Sequence, residues 1–177
     1  KENEFTLHAS SGADQFKIVF SQDNDNRAVA FAHEDGFADD VLSLILPSSD
    51  QNDALQFGKN SNGHYEARFG SQVVTWQTQF ATININGTNI NLSALAEGSD
   101  VNGDGQADIE LNDQTLVIGS ELSKTLHVQD NIMAKTIDAN ISDKITLDGG
   151  LFSSSVRLLG DANVFVPGDT DPGGGTV

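Results

Sequence analysis

Four acidic or amide side chains recur at a regular spacing in one short stretch, and that spacing suits a metal ion. They are Asp100, Asn102, Asp104 and Asp108, and glycines stand at positions 103 and 105. Calcium is a hard cation that takes six to eight oxygen ligands, and alternate side chains of a tight loop can supply several of them. The stretch therefore predicts a calcium-binding loop.

The loop follows the pattern D-x-[DN]-x-[DN]-G and then departs from that of a helix-flanked EF-hand. Position 12, which an EF-hand fills with a bidentate Glu, is Leu111, and the flanking residues alternate as in a strand. The predicted calcium ligands are Asp100, Asn102, Asp104, the main-chain carbonyl of Gln106, and Asp108. Water, a bound ligand or a remote acid such as Glu110 or Asp113 must complete the shell. The alternative is a turn rich in Asp, Asn and Gly that binds no metal.

With its strand-forming flank, the loop resembles the short calcium loops of FG-GAP, VCBS-type and dockerin repeats. This resemblance covers only residues 100–111 of a 177-residue chain and identifies a kind of site. The acidic, cysteine-free composition, rich in Gly, Asn and Asp, resembles that of modules from large bacterial adhesins of the repeats-in-toxin kind. Together the resemblances imply a calcium-stabilised β-module of a bacterial secreted or surface protein.

Two other groups of side chains are candidate sites. The acids of one short segment predict a second metal site, with solvated turns as the alternative; they are Glu34, Asp35, Asp39 and Asp40. Tyr65 and Trp76 fall on segments that we interpret as adjacent antiparallel strands. There they could stack on a sugar ring, or Trp76 could instead be buried in the core.

The charge balance limits the classes of partner. Twenty-six acids against nine bases give a net charge of -17, which argues against nucleic acid and against an anionic membrane surface. A divalent cation would relieve part of the self-repulsion. The chain has no cysteine, which excludes disulfides and thiolate metal sites. No apolar run approaches the roughly 18 residues of a spanning helix, so we expect no direct membrane insertion.

Catalytic patterns are missing from the sequence. The four histidines, at 8, 33, 64 and 127, match no zinc motif, and there is no nucleophile elbow, P-loop or dinucleotide fingerprint. We therefore expect no catalytic residues and no enzymatic activity.

The sequence predicts that short strands position these residues. Apolar residues alternate in short runs bounded by Gly, Asn, Asp and Ser, which predicts an all-β antiparallel sandwich. For residues 125–166, where strands are short and closely spaced, a small β-solenoid is the alternative. Asn86 and Gly87 predict the two-residue turn of a hairpin that directs Ile83 and Ile90 into the core.

The predicted organisation is a single calcium-stabilised β-domain over residues 1–166 and a flexible Gly/Pro-rich linker or tail over 167–177. The expected function is a calcium-dependent, extracellular ligand-binding or adhesion module of a larger bacterial surface protein. Its expected partners are a glycan or a peptide or protein ligand, and neighbouring domains of a larger chain. The alternatives are a carbohydrate-binding accessory domain of a polysaccharide-degrading enzyme, or a structural subunit of an extracellular filament or surface layer.

Overall fold

The protein is all-β. The computed structural model describes residues 3–8, 12–22, 26–32, 37–48, 53–160 and 163–165, and in these ranges it contains strands but no helix. This confirms the predicted class. The expected linker over residues 167–177 lies outside the described ranges.

The first half of the chain forms nine strands: β1 (Asn3–His8), β2 (Gln15–Val19), β3 (Arg27–Ala32), β4 (Phe37–Ile45), β5 (Leu55–Lys59), β6 (Tyr65–Phe69), β7 (Gln72–Trp76), β8 (Phe80–Asn86) and β9 (Asn89–Ala94). The second half forms nine more, most of them shorter: β10 (Ile109–Glu110), β11 (Thr115–Gly119), β12 (Thr125–Val128), β13 (Ile132–Met133), β14 (Thr136–Asn140), β15 (Lys144–Leu147), β16 (Leu151–Phe152), β17 (Ser155–Leu159) and β18 (Asn163–Phe165).

These strands form three largely parallel sheets. The nine-stranded sheet has the order β1-β3-β7-β6-β5-β9-β12-β15-β18, the six-stranded sheet β17-β14-β11-β8-β4-β2, and the three-stranded sheet β10-β13-β16. Only β5–β6 and β6–β7 pair antiparallel among the described residues. The predicted antiparallel sandwich is therefore not confirmed. Alternation of apolar and polar residues along a strand indicates which face is buried, but it does not indicate whether the neighbouring strand is parallel or antiparallel.

From β8 onward the chain visits the six-, nine- and three-stranded sheets in turn, as a three-sided parallel solenoid does. We call the circuits β8–β10, β11–β13 and β14–β16 rungs 1, 2 and 3. The solenoid alternative considered for residues 125–166 thus describes a longer part of the chain. Hydrogen bonds between stacked rungs show that the rungs differ in length. Asn89 of rung 1 is bonded to Thr125 of rung 2, which is 36 residues later, whereas Asn131 of rung 2 is bonded to Gly150 of rung 3, which is 19 residues later. Rung 1 is longer because it contains the acidic loop, and this hides the repeat in the sequence.

Stacked aliphatic side chains fill the solenoid. In the six-stranded sheet Ile83 pairs with Leu116 and Leu116 with Ile137, and all three side chains are buried. In the nine-stranded sheet Ile90 pairs with Leu126, again between buried positions. Each such side chain contributes about 1.5–3 kcal/mol through burial. The interior therefore holds the rungs in register and leaves the outward side chains free for other roles.

The segment around Asn86 and Gly87 is a corner between two sheets and not a hairpin turn. The strands before and after it, β8 and β9, belong to different sheets, so the hairpin prediction is wrong. Asn86 O instead accepts a hydrogen bond from Leu46 N over 2.7 Å. The predicted inward faces are confirmed, since Ile83 and Ile90 are 0% and 1% exposed. In the described part of the chain, no helix is long and apolar enough to cross a membrane.

Candidate metal centre

The acidic loop lies between β9 and β10, where it interrupts rung 1. Residues 100–106 are exposed, whereas Asp108 is 0% exposed. Asp108 N donates to Ser99 O over 2.8 Å, which closes the two ends of the loop on each other. Leu111 is buried in the core, and its N donates to Met133 O in rung 2. The twelfth position is therefore a core residue, which explains why it cannot carry a ligating acid.

Asp100 organises the first half of the loop. Its Oδ1 accepts hydrogen bonds from Gly103 N (2.7 Å) and Asp104 N (3.1 Å), and its Oδ2 accepts one from Gly105 N (2.9 Å). The two glycines have positive φ angles of 77° and 90°, a region that side chains with a Cβ rarely adopt. The glycines thus bend the chain so that three amides converge on one carboxylate.

Asp108 joins the end of the loop to its start and to rung 2. Its Oδ2 accepts hydrogen bonds from Val101 N over 2.7 Å and from Asn102 N over 3.3 Å. Its Oδ1 accepts one from Asn131 Nδ2 over 3.0 Å. A buried carboxylate is stable only when its oxygens are paired, and these three donors pair both of them.

Asp104 is exposed and contacts both asparagines. Its Oδ2 accepts from Asn102 Nδ2 (2.9 Å) and Asn131 Nδ2 (3.4 Å), and its Oδ1 accepts from Gln106 N (2.8 Å). The hydrogen bond from the Asn102 amide, and then that from Gln106 N, lower the pKa of the Asp104 carboxyl from its ordinary value. Asp104 is thus favoured in its charged form, which is the form that a cation requires.

Amide nitrogens contact the carboxylates at positions that a cation would take. Asn131 Nδ2 bridges Asp104 and Asp108, and Asn102 Nδ2 contacts Asp104. Within the described ranges, no three His, Cys, Asp or Glu side chains form a group that could hold a metal. The carboxylates are thus brought into one loop but not onto one point. Ion binding would require the amide NH₂ groups to turn away or to present their oxygens.

Asn131 is a residue of this site that the sequence did not indicate. It lies in rung 2, 23 residues after Asp108, and reaches back to the loop. Its Oδ1 accepts a hydrogen bond from Gly150 N over 2.8 Å, so it also joins rung 3. Only the stacking of rungs brings it to the loop, and no motif spacing encodes that stacking.

Of the two remote acids considered as further ligands, Glu110 has other side-chain contacts in this structure. The side chain of Glu110 accepts a short hydrogen bond from Ser99 Oγ and lies 3.7 Å from Lys59 Nζ. A Cβ on Gly58 would approach Glu110 N to 3.1 Å, so the glycine permits this close contact with β5. Asp113 is exposed, and its main-chain N donates to Gln79 Oε1. These contacts fasten the base of the loop to its surroundings.

The second candidate metal site is only partly described. Glu34 and Asp35 lie outside the described ranges, while Asp39 is exposed and Asp40 is 1% exposed. Asp40 Oδ1 accepts a hydrogen bond from Asp14 N over 2.8 Å, and its buried Oδ2 has no hydrogen-bond partner among the described residues. The second site remains a prediction.

Tyr65 and Trp76 pair across β6 and β7, as predicted for adjacent antiparallel strands, but they are buried. Their exposures are 3% and 1%, and their rings stack with centroids 5.8 Å apart. Trp76 Nε1 donates to Gln114 Oε1, and Tyr65 Oη accepts a hydrogen bond from Asn112 Nδ2. Burial raises the pKa of the Tyr65 hydroxyl. The pair belongs to the core and offers no exposed face to a sugar ring.

Comparison with known proteins finds no family model, no curated protein and no solved structure that matches this chain.

Proposed function

We propose that this chain is a calcium-stabilised, non-catalytic binding module of a secreted or surface-exposed bacterial protein. The observation that carries the proposal is the hydrogen bonding of the loop 100–108. Asp100 and Asp108 each accept main-chain amide hydrogen bonds from within the loop, which fixes three carboxylates in a segment of nine residues. None of the three forms a salt bridge with a described residue. A divalent cation would supply the missing positive charge.

The ligands that would hold the ion are all oxygens, as calcium prefers. They are the side chains of Asp100, Asn102, Asp104 and Asp108 and the Gln106 carbonyl. No described residue donates a hydrogen bond to that carbonyl, which leaves it available. Asn131 is a further candidate ligand, through its Oδ1 after a rotation of the amide. When bound, the ion would join the loop to rung 2 and replace mutual repulsion of the carboxylates with attraction.

The expected affinity favours an extracellular location. The loop is exposed, provides about five ligands, and has no bidentate acid at its twelfth position. Extracellular calcium modules bind with dissociation constants of about 0.1–1 mM, and they are saturated only where calcium is abundant. Such a module would be folded most firmly outside the cell, where an adhesin or a binding domain meets its glycan, peptide or protein ligand.

Calorimetric titration of calcium into the protein tests this proposal. We expect one site of submillimolar to millimolar affinity, much weaker binding of magnesium, and no binding by Asp104→Ala. Asp143→Ala is the matched control, because Asp143 is an exposed acid between β14 and β15 and is not a candidate ligand, and it should bind calcium as the unaltered protein does. No detectable calcium binding, or equal binding by Asp104→Ala, would contradict the proposal.

A second candidate function, a subunit of a filament or surface layer, is favoured by the outermost strands. β17 is the last described strand of the six-stranded sheet, and its Val156, which pairs with buried Ile137, is 39% exposed. Open parallel edges can add strands of another chain. Sedimentation at increasing concentration tests this. Val156→Lys should abolish association if the edge mediates it, and a strictly monomeric protein would exclude this function.

A further inference from the structure

The outward face of the nine-stranded sheet presents a regular array of polar side chains. β9, β12 and β15 pair in register, so that Asn89, Thr125 and Lys144 form one row and Asn91, His127 and Thr146 form a second. Neighbouring strands lie about 4.8 Å apart, so the three strands hold these groups at a fixed spacing. Between the two rows, the side chains of Ile90, Leu126 and Ile145 are buried and hold the strands from inside.

The array borders a shallow groove. Its volume is about 340 Å³, and its lining includes both rows together with Asp53, which lies just before β5. This volume falls within the range of about 300–1,000 Å³ seen for small-ligand sites. The lining also includes Ile90 and Leu126, whose side chains are buried, and its polar side chains are amides, hydroxyls, an imidazole, an ammonium and a carboxylate.

Part of the hydrogen-bonding capacity of these groups is already used between them. Asn89 Oδ1 accepts from Thr125 Oγ1 over 2.9 Å, and Asn91 Oδ1 accepts from Gln129 Nε2 over 2.7 Å. His127 Nε2 lies 2.5 Å from Asp148 Oδ2. These contacts fix the orientation of the two asparagines and of the imidazole before any ligand arrives, which reduces the entropy lost on binding.

The hydrogen-bonding groups of the array that remain unused are mainly donors. Among the described residues, nothing accepts a hydrogen bond from the NH₂ groups of Asn89 and Asn91 or from Lys144 Nζ, and Thr146 Oγ1 is unpaired as well. A ligand complementary to this surface must accept several hydrogen bonds and donate a few, as a run of sugar hydroxyls does. A peptide that binds by strand addition needs a sheet edge, whereas this groove lies on a sheet face whose outward side chains are polar.

Charge selects among hydroxyl-rich ligands. Lys144 and Asp53 are of opposite sign, so the groove has little net charge of its own, whereas the whole chain carries -17. A polyanionic ligand would be repelled by that excess, and a neutral one would not. We propose that the groove binds a neutral oligosaccharide, with Asn91 and Lys144 as its principal hydrogen-bond donors. This names a ligand class and a surface for the binding module proposed above, on which it rests.

The test is a calorimetric titration of the calcium-loaded protein with neutral hexose, pentose and N-acetylhexosamine oligosaccharides, and with polygalacturonate as the anionic comparison. The double variant Asn91→Ala/Lys144→Ala should lower the affinity at least about tenfold, as expected when ligand hydrogen bonds are lost. The matched control is Asn84→Ala/Lys135→Ala, since Asn84 is partly exposed on the six-stranded sheet and Lys135 is exposed before β14.

Each outcome bears on the proposal. Binding that the double variant loses and the control retains would support it. Absence of binding to every neutral oligosaccharide, preference for polygalacturonate, or equal binding by the double variant would overturn it. Melting curves with calcium and with EDTA on the same samples separate this failure from that of the proposed function. If the groove binds no sugar while calcium still raises the melting temperature, only the groove assignment fails.

Discussion

Asp108 has a structural role that can be separated from metal binding by measuring stability in EDTA. Its carboxylate is fully buried and accepts hydrogen bonds from Val101 N, Asn102 N and Asn131 Nδ2. Asp108→Ala would leave these donors without an acceptor, and each well-formed hydrogen bond to a charged group contributes about 1.5–3 kcal/mol. The desolvation of the carboxylate offsets part of this gain. We therefore expect a loss of about 3 kcal/mol in the absence of calcium.

For a chain of this size, such a loss lowers the melting temperature by roughly 6–12 °C. The measurement is thermal unfolding in EDTA, followed by circular dichroism, for the unaltered protein and its variants. Asp108→Asn should lose less, because the amide oxygen can still accept from Val101 N. Asp143→Ala, the exposed control, should melt within about 1–2 °C of the unaltered protein, since exposed substitutions usually cost under about 0.5 kcal/mol. If Asp108→Ala melts like the control, the carboxylate does not hold the loop as described.

Three further predictions concern other buried or titrating groups. Gln114→Leu should destabilise by about 2–4 kcal/mol, measured by urea unfolding, because Gln114 Oε1 accepts from both Trp76 Nε1 and Phe80 N in the core; an unchanged midpoint would contradict this. Tyr65 is the single tyrosine, so ultraviolet absorbance can follow its ionisation, and the midpoint should lie above its ordinary pKa of 10.0. Because the folded-state pKa is raised, stability should fall as the pH rises through that value, and titration near 10.0 in the folded protein would refute this. Asp104 has a lowered folded-state pKa, so its contribution to folding stability is present above pH 3.8 and is lost as the pH falls through the lowered value. Calcium binding should be lost over the same range. Titrations of stability and of calcium binding from about pH 7 to about pH 3 should show both losses.

Strand identity and the buried faces could be read from the sequence because both are local properties. Alternation in β8 and β9 places Ile83 and Ile90 inward whichever strands become their partners, and both are buried. The direction of pairing is not local. Asn86 and Gly87 suit a hairpin turn, yet the same residues form a corner once β8 and β9 join different sheets. The repeat was hidden because the loop lengthens rung 1 and not the rungs that follow.

The candidate site also combines local features, which the sequence predicts, with non-local ones, which it does not. The bonds from Gly103 N and Gly105 N to Asp100 span three and five residues, so the loop pattern itself specifies them. Asn131 reaches the loop only through the stacking of rung 2, which no spacing within the loop encodes. The burial of Trp76 depends on β6 and β7 lying in the nine-stranded sheet, and alternation alone could not decide which of their faces is inward.

The central claim is that calcium binds the loop and stabilises the fold, and thermal unfolding with calcium and with EDTA tests it most directly. An ion that binds only the folded state adds RT ln(1 + [L]/Kd), which is about 1.4 kcal/mol at ten times Kd. For this chain length, that corresponds to a rise of roughly 3–6 °C in the melting temperature. We predict this rise with calcium, a smaller one with magnesium, and none in Asp104→Ala. Identical melting temperatures in calcium and in EDTA, or an equal rise in Asp104→Ala, would contradict the claim.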